Sequence, residues 1–348
     1  MPVKPNVVER LAFFSLNAVP SAILDLAGLF AYQAVSTANE LGLFETLATR
    51  PYSLQELANQ IQLQERGLLT LLEALAALGY VDVENGRYKN SKMVQKWLIE
   101  DENYDAEAMF HFWSAASREL SPHTAAVIRS GERPFDFYKW VEADPALSES
   151  YQRMLMMNAK MGGADVIKHL TLPEGKTRLL DVGGGHGTYT ALMCQKYPQL
   201  HGTILDSFAG LETGRQTMEK HNLQERVTLQ KGDMFATEWG KGFDMIFLFN
   251  VLHQFDIDTG VELLKKASHA LKPGGKVAVL DQITGKVSGS ATNALIRLVA
   301  LQYYLFADGR VFSRADLTQM AEKAGFTNVQ FHNLSRLPGN SLMTANQT

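Results

Sequence analysis

Residues 179 to 190 read LLDVGGGHGTYT, four glycines within five positions behind an acid and an apolar run. Glycine gives a backbone access to positive φ and lets a ligand approach the main chain where a Cβ would block it. The dinucleotide spacing G-x-G-x-x-G is not met, because counting from Gly183 the third position holds Thr188, and counting from Gly185 fails as well. The string does satisfy D-x-G-x-G-x-G from Asp181 through Gly187. Two more acids follow at comparable places: GTILD ends on Asp206, and KGDMF contains Asp233. At the end of a strand, Asp206 is placed to accept both ribose hydroxyls of a nucleoside. Asp233 is placed to accept the exocyclic amino group of adenine, with Met234 or Phe235 against the ring. Any one such acid has a plainer reading as a turn former or helix cap. Three in register with a glycine turn point to a nucleoside, so Gly183, Gly184, Gly185, Asp206, Asp233, Met234 and Phe235 are the candidate binding set.

These residues need strands to carry them. From Thr177 the pattern alternates: strands RLLDVG, HGTILD, RVTLQKGD, FDMIFLFNVL and KVAVLD, with helices TYTALMCQKY, GLETGRQTMEKHN, TGVELLKKASHAL and SRADLTQMAEKAG. NVQFHNLS, a Pro338-Gly339-Asn340 turn and SLMTA close the chain. Repeated βα units predict an α/β fold, a Rossmann-like doubly wound, mostly parallel sheet with helices on both faces. The last hairpin predicts one antiparallel edge strand. Ligands of such sheets sit beyond the carboxyl ends of the strands at the topological switch point, where the glycine turn falls.

The first hundred residues have another texture. Ser53 and Glu56 form a capping box. A leucine-rich helix with Leu68, Leu69, Leu72, Leu75 and Leu78 on or near one face follows and is closed by Gly79. YVDVENGRYKN then alternates about Asn85-Gly86, a two-residue hairpin signal. Helix, turn, helix and hairpin make a winged helix, which raises DNA binding as a rival function. The charges argue against it: residues 1 to 100 hold eight Lys/Arg against ten Asp/Glu, and Arg66 is the one basic residue of the would-be recognition helix. Nucleic-acid affinity rests largely on neutralised phosphates. Protein contact is the better use, with apolar helices at about 6 to 18 and 21 to 39 packing against a second subunit, or else completing their own core.

Residues 101 to 170 read as helical and rich in aromatics and methionine, in AMFHFWSAASREL and YQRMLMMNAKMGG. Such stripes belong equally to a core or to a pocket for a flat apolar ligand. The expected division is therefore 1–100, 101–170 and 171–348. The 348 residues, 46% hydrophobic and 20% charged with net charge −4, suit a globular protein with no bulk attraction to nucleic acid or an anionic membrane. One cysteine, Cys194, excludes an internal disulfide framework, which fits a reducing, cytoplasmic setting. LAFFSLNAVPSAIL is apolar but broken by Pro20 and too short to span a bilayer. It lacks a cationic stretch followed by a cleavage site, and a buried helix is expected there.

Taken together, the winged-helix segment, LLDVGGGHGTYT, GTILD, GDMF, NVLHQFD and ALKPGGKVAVLD resemble a family along nearly the whole chain. It is the class I S-adenosylmethionine-dependent O-methyltransferases of the plant caffeate and acetylserotonin type, with their bacterial relatives. The resemblance implies S-adenosyl-L-methionine as cofactor, an intertwined homodimer and a small aromatic or polyketide-like acceptor. It also implies that His253, in NVLHQFD, is the base that removes the acceptor's proton. An imidazole titrates near neutrality, as a general base should. Without the family pattern, His253 would read as an exposed or capping histidine. Asp281, 28 residues on at the end of the next strand, is the expected orienter of the imidazole, a helix cap or loop anchor being the competing reading. Alignment to the family places Trp113, Met154, Leu155 and Asn158 in the acceptor's lining, with Tyr303, Tyr304 and Phe306 as further candidates. With a histidine in the working position, no metal is expected.

Two positions depart from the plant pattern. Val311 stands where those enzymes carry a second acid, and Phe249 stands where they carry a lysine near the cofactor. The first keeps open a second reading, a cofactor-binding relative that catalyses hydroxylation or rearrangement instead of methyl transfer. A DNA-binding regulator with a cofactor-sensing domain is the third.

Overall fold

The computed structural model describes residues 5–16, 18–206, 208–285 and 289–348. The chain divides into two compact units, Met1–Ala115 and Ala116–Thr348.

In the first unit, the capping box forms as read: Ser53 accepts from the Glu56 amide while Glu56 accepts from the Ser53 amide, opening the helix Leu54–Gln60. The helix Glu65–Ala77 buries Leu68, Leu72 and Leu75. The hairpin pairs β1 (Val81–Glu84) with β2 (Arg87–Asn90), and Asn85 and Gly86 both take positive φ, 51° and 72°. That is the backbone a two-residue turn needs to match strand twist. One expectation fails. The N-terminal apolar segment forms a short helix, Val7–Arg10, continued by a π-helical turn, Leu11–Ser15. It is not buried in the single chain: Leu11, Phe14, Ile23 and Phe30 are each at least half exposed. Residue 17 of this stretch lies outside the described residues.

The second unit holds the doubly wound sheet. Its strands are β3 (Thr177–Val182), β4 (Leu200–Asp206), β5 (Val227–Lys231), β6 (Phe243–Phe249), β7 (Leu271–Thr284), β8 (Phe312–Ser313), β9 (Phe326–Asn333) and β10 (Asn340–Gln347). They run in the order β5-β4-β3-β6-β7-β10-β9, with two-residue β8 beside the end of β7. Alternation along the strands builds a core on each face. Leu179, Phe247, Leu280 and Leu342 join one; Leu180, Leu248, Val279 and Met343 join the other.

The antiparallel strand is β10, but it is not the edge. It pairs with β7 on one side and β9 on the other. The reason is apolar content: Leu342, Met343 and Ala345 are fully buried, whereas β9 alternates with exposed residues and takes the rim. An 18-residue helix, Ser290–Ala307, lies between β7 and β8 and had no counterpart in the periodicity reading. Among the described residues, no helix is long and apolar enough to cross a membrane.

Candidate active site

The sheet order reverses beside β3, which has β4 on one side and β6 on the other. The crevice of a doubly wound fold opens there, and the glycine turn lies at it. Gly183, Gly185 and Gly187 have φ of +71°, +30° and +68°, backbone that a residue with a Cβ adopts only under strain. Packing excludes side chains as well. A Cβ at 183 would stand 2.8 Å from Val251, and one at 184 would run into the Asp181 carboxyl.

That contact defines Asp181. It is 2% exposed, accepts a bond from the Thr190 hydroxyl at 2.7 Å, and braces the turn from beneath. Burial pushes its carboxyl up to about 7, opposed by the Thr190 bond and reinforced by the Asp206 charge. Of the three strand-end acids, this one is structural. Asp206 is different: its Oδ2 accepts from the Gly185 amide at 2.6 Å, and its main-chain oxygen accepts from Gly232 at 3.1 Å. The next helix approaches through Gly210, where a Cβ would meet the Asp206 carboxyl at 2.9 Å. His186, inside the turn, accepts from the Thr188 amide on Nδ1 at 3.2 Å. Burial, aided by the Lys160 charge, lowers it to about 4, so it is neutral at pH 7.

Asp233 is exposed, and its Oδ1 accepts from the amides of Phe235 and Ala236 at 2.9 and 2.8 Å. This is the turn-forming role that competes with ligand binding. The two candidates beside it part company. The Met234 methyl lies 3.9 Å from where a Gly183 Cβ would stand. Phe235 is 43% exposed, with its ring edge-on to Phe255 at 5.2 Å. Lys266 clamps this turn through the carbonyls of Met234, Phe235 and Thr237.

The second half of the site stands at the ends of β6 and β7, neighbours in the sheet. A 3₁₀ turn, Leu252–Gln254, carries His253 just past β6, and Asp281 lies near the end of β7. Asp281 is 1% exposed and grips the histidine twice: Oδ1 to the imidazole Nδ1 at 2.7 Å, and Oδ2 from the His253 amide at 3.1 Å. A carboxylate only accepts, so Nδ1 carries the proton and Nε2 is left as the basic nitrogen. The Tyr303 ring stacks face to face on the imidazole, centroids 4.2 Å apart at 11°.

Tyr151, from the helix Pro145–Ile167, packs its ring edge against Phe137 at 5.7 Å, and Phe137 packs on Phe306 at 4.6 Å. Burial raises the hydroxyls of Tyr151 and Tyr303. Asp206 pushes on the first, and Asp281 followed by Tyr151 push on the second, so these phenols share one neighbourhood with both acids. Met154 and Leu155 are half-buried one turn on from Tyr151, hence on its side of the helix. Asn158 follows one turn later and is exposed. Gln152 faces the glycine turn, its Oε1 3.3 Å from a Cβ built on Gly185.

The Tyr304 ring lies under the Arg133 guanidinium, whose carbon is 5.0 Å from the ring centroid, and its main-chain carbonyl accepts from the same arginine at 2.8 and 2.9 Å. Trp113 belongs to the other unit, half-buried with its ring edge on Phe112. Tyr151, Gln152 and Val251 escaped the sequence reading. The only signal was position, one turn before Met154 and Leu155 or next to the histidine turn.

Phe249 is 5% exposed, stacked on Phe247 at 4.2 Å and edge-on to Tyr189 at 4.9 Å. It belongs to the core under the turn. Val311 is half-buried, directly before β8.

Comparison with known proteins identifies a family. The O-methyltransferase domain matches residues 124–327, more than half of the chain, and the O-methyltransferase dimerisation domain matches residues 25–100. The L-tyrosine C(3)-methyltransferase of Streptomyces lavendulae is 24% identical over 90% of this chain and 88% of its own. The 3-hydroxy-5-methyl-1-naphthoate 3-O-methyltransferase of Streptomyces sahachiroi is 24% identical over 89% and 90%. Human N-acetylserotonin methyltransferase, solved in complex with SAM, superposes with a TM-score of 0.81 at 20% identity, covering 100% of this chain and 99% of that one.

Proposed function

This chain belongs to the O-methyltransferase domain family, and from that premise we propose that it methylates a hydroxyl of a small aromatic metabolite, with His253 as the base. S-adenosyl-L-methionine is the methyl donor; its sulfonium activates the methyl group before the enzyme acts. The glycine turn suits it, because Gly183 and Gly184 leave no room for side chains and present main chain to a ligand. Asp206, aimed by the Gly185 amide, would hold the ribose hydroxyls, and Asp233 with Met234 the adenine.

The enzyme's own task is to take the hydroxyl's proton and to hold the resulting cation. The observation that carries this reading is the 2.7 Å contact between His253 Nδ1 and Asp281. It fixes the tautomer with Nε2 basic, and it balances the positive charge once Nε2 is protonated. The Tyr303 ring on the base, with Met154 on the Tyr151 side of its helix, suits a flat, largely apolar acceptor. The names of the two bacterial relatives, one for a naphthoate and one for tyrosine, point to aromatic acceptors as well. The exposed apolar residues between 7 and 30, together with the dimerisation-domain match, support a homodimer in which a second copy covers that face.

His253→Ala tests the assignment. Turnover is expected to fall by about 10²–10⁴-fold, while calorimetry shows unchanged affinity for the methyl donor. Full activity in that variant rejects the base. A product without the mass of one added methyl rejects methyl transfer, and attachment of that methyl to carbon rejects the hydroxyl as acceptor.

A further inference from the structure

The sequence places Tyr303 among residues lining the acceptor, but the structure gives its ring another occupation. Asp281 holds His253 at Nδ1 and at the main-chain amide. A single hydrogen bond at Nδ1 fixes a direction and leaves the ring free to rock about it. The Tyr303 ring removes that freedom, lying 4.2 Å away and 11° from parallel.

Tyr303 is itself held firmly. It sits in the last turn of the helix Ser290–Ala307, and its carbonyl accepts from the Gly309 amide at 3.0 Å. One residue later, the Arg310 amide donates to the His253 carbonyl at 2.7 Å. Gly309 joins these two bonds, and only glycine fits: a Cβ there would stand 2.7 Å from the His253 oxygen and 3.0 Å from the Tyr303 Cβ. Arg133 anchors the same helix end through the Tyr304 carbonyl and through Asp308.

We propose that Tyr303 is a positioning residue for the base, its ring face fixing the imidazole plane and stabilising the cation formed when Nε2 accepts a proton. This rests on the reading of His253 as base. A cation over an aromatic face is attracted by the ring quadrupole. The phenol stays neutral, because burial, Asp281 and Tyr151 all disfavour phenolate, so what the imidazole meets is the ring's π face and not a phenolate charge. Among the described residues, Asp281 on β7 bonds the imidazole, Tyr303 stacks on it, Tyr151 and Tyr138 act electrostatically on Tyr303, and the Arg310 main-chain amide bonds the His253 carbonyl.

The test compares Tyr303→Phe, Tyr303→Leu and Tyr303→Met. The His253 ring proton is titrated by NMR in the enzyme without acceptor, and the pH profile of turnover is measured separately. Leu and Met remove the stacked ring. They are expected to lower the imidazole's midpoint by about half a pH unit and to cut kcat about tenfold, with KM changed less than threefold. Phe keeps the ring and is expected to stay within twofold of the parent in both. If the midpoint is unmoved in whichever of Leu and Met folds, the stack does nothing to the base and the proposal falls. A rise in KM at constant kcat returns Tyr303 to the acceptor's lining and also overturns it. Equal losses in Phe and Leu assign the effect to the hydroxyl, against the proposal. The midpoint is read without turnover, so it judges the stack even where His253→Ala shows that the base lies elsewhere.

Discussion

The glycine turn and the histidine corner both stand at carboxyl ends of parallel strands, and each contains a nearly unexposed aspartate, Asp181 and Asp281. Their neighbours give them opposite tasks. Asp181 meets a hydroxyl and a bare backbone, and burial drives it toward the neutral acid. Asp281 meets an imidazole and two main-chain amides, those of His253 and Gln282, so all its partners donate to it. The first acid shapes a backbone cradle, and the second orients an imidazole. Burial at a strand end therefore does not mark a functional acid; the donor it faces does.

That contrast can be broken at either end. The largest effect belongs to Asp281→Asn, which cannot hold the Nδ1–H tautomer in the same way. Turnover should drop about 10²–10⁴-fold with cofactor affinity unchanged by calorimetry, and a loss under threefold would remove Asp281 from the mechanism.

Asp181→Asn should act on stability and its pH dependence. A carboxyl whose folded pKa lies above its unfolded value of about 4 stabilises fully below that pH, and the contribution is lost as pH rises through about 7. The parent should lose on the order of 1–4 kcal/mol from this group across that window, and the asparagine variant should not. His186, lowered to about 4, acts in the opposite sense and is lost as pH falls below about 6.5. The measurement is therefore the difference between variant and parent in denaturant unfolding from pH 5 to pH 8. A difference that does not change with pH contradicts the assignment.

Gly210→Ala puts a Cβ against the Asp206 carboxyl. The affinity for the methyl donor should fall about tenfold, the scale of one charge-assisted hydrogen bond, with kcat at saturation nearly unchanged. Phe235→Ala should change cofactor affinity less than about twofold, because that ring turns to Phe255 and solvent. A larger loss would return Phe235 to the binding set.

One departure from the plant pattern has a packing account. Phe249 is a core residue between Phe247 and Tyr189, so replacing it with lysine would bury an unpaired charge without supplying a ligand contact. The hairpin, the capping box and the order of the βα units were all readable, since each depends on neighbours within a few residues. The placement of β10 inside the sheet was not, because it depends on which faces later elements leave apolar.

By itself the sequence determined the local pieces: glycines at a strand end, acids at successive strand ends, and a histidine 28 residues before an aspartate. These follow from backbone sterics and short-range periodicity. Only the tertiary structure decided which acid braces and which orients, that Met234 turns to the glycine loop while Phe235 turns away, and that Tyr303 lies on the imidazole. Apart from the brace of Asp181, whose partner Thr190 is nine positions on, those choices are contacts between residues 20 to 50 or more positions apart, and a side chain's direction in such a contact is set by packing, which local pattern does not encode.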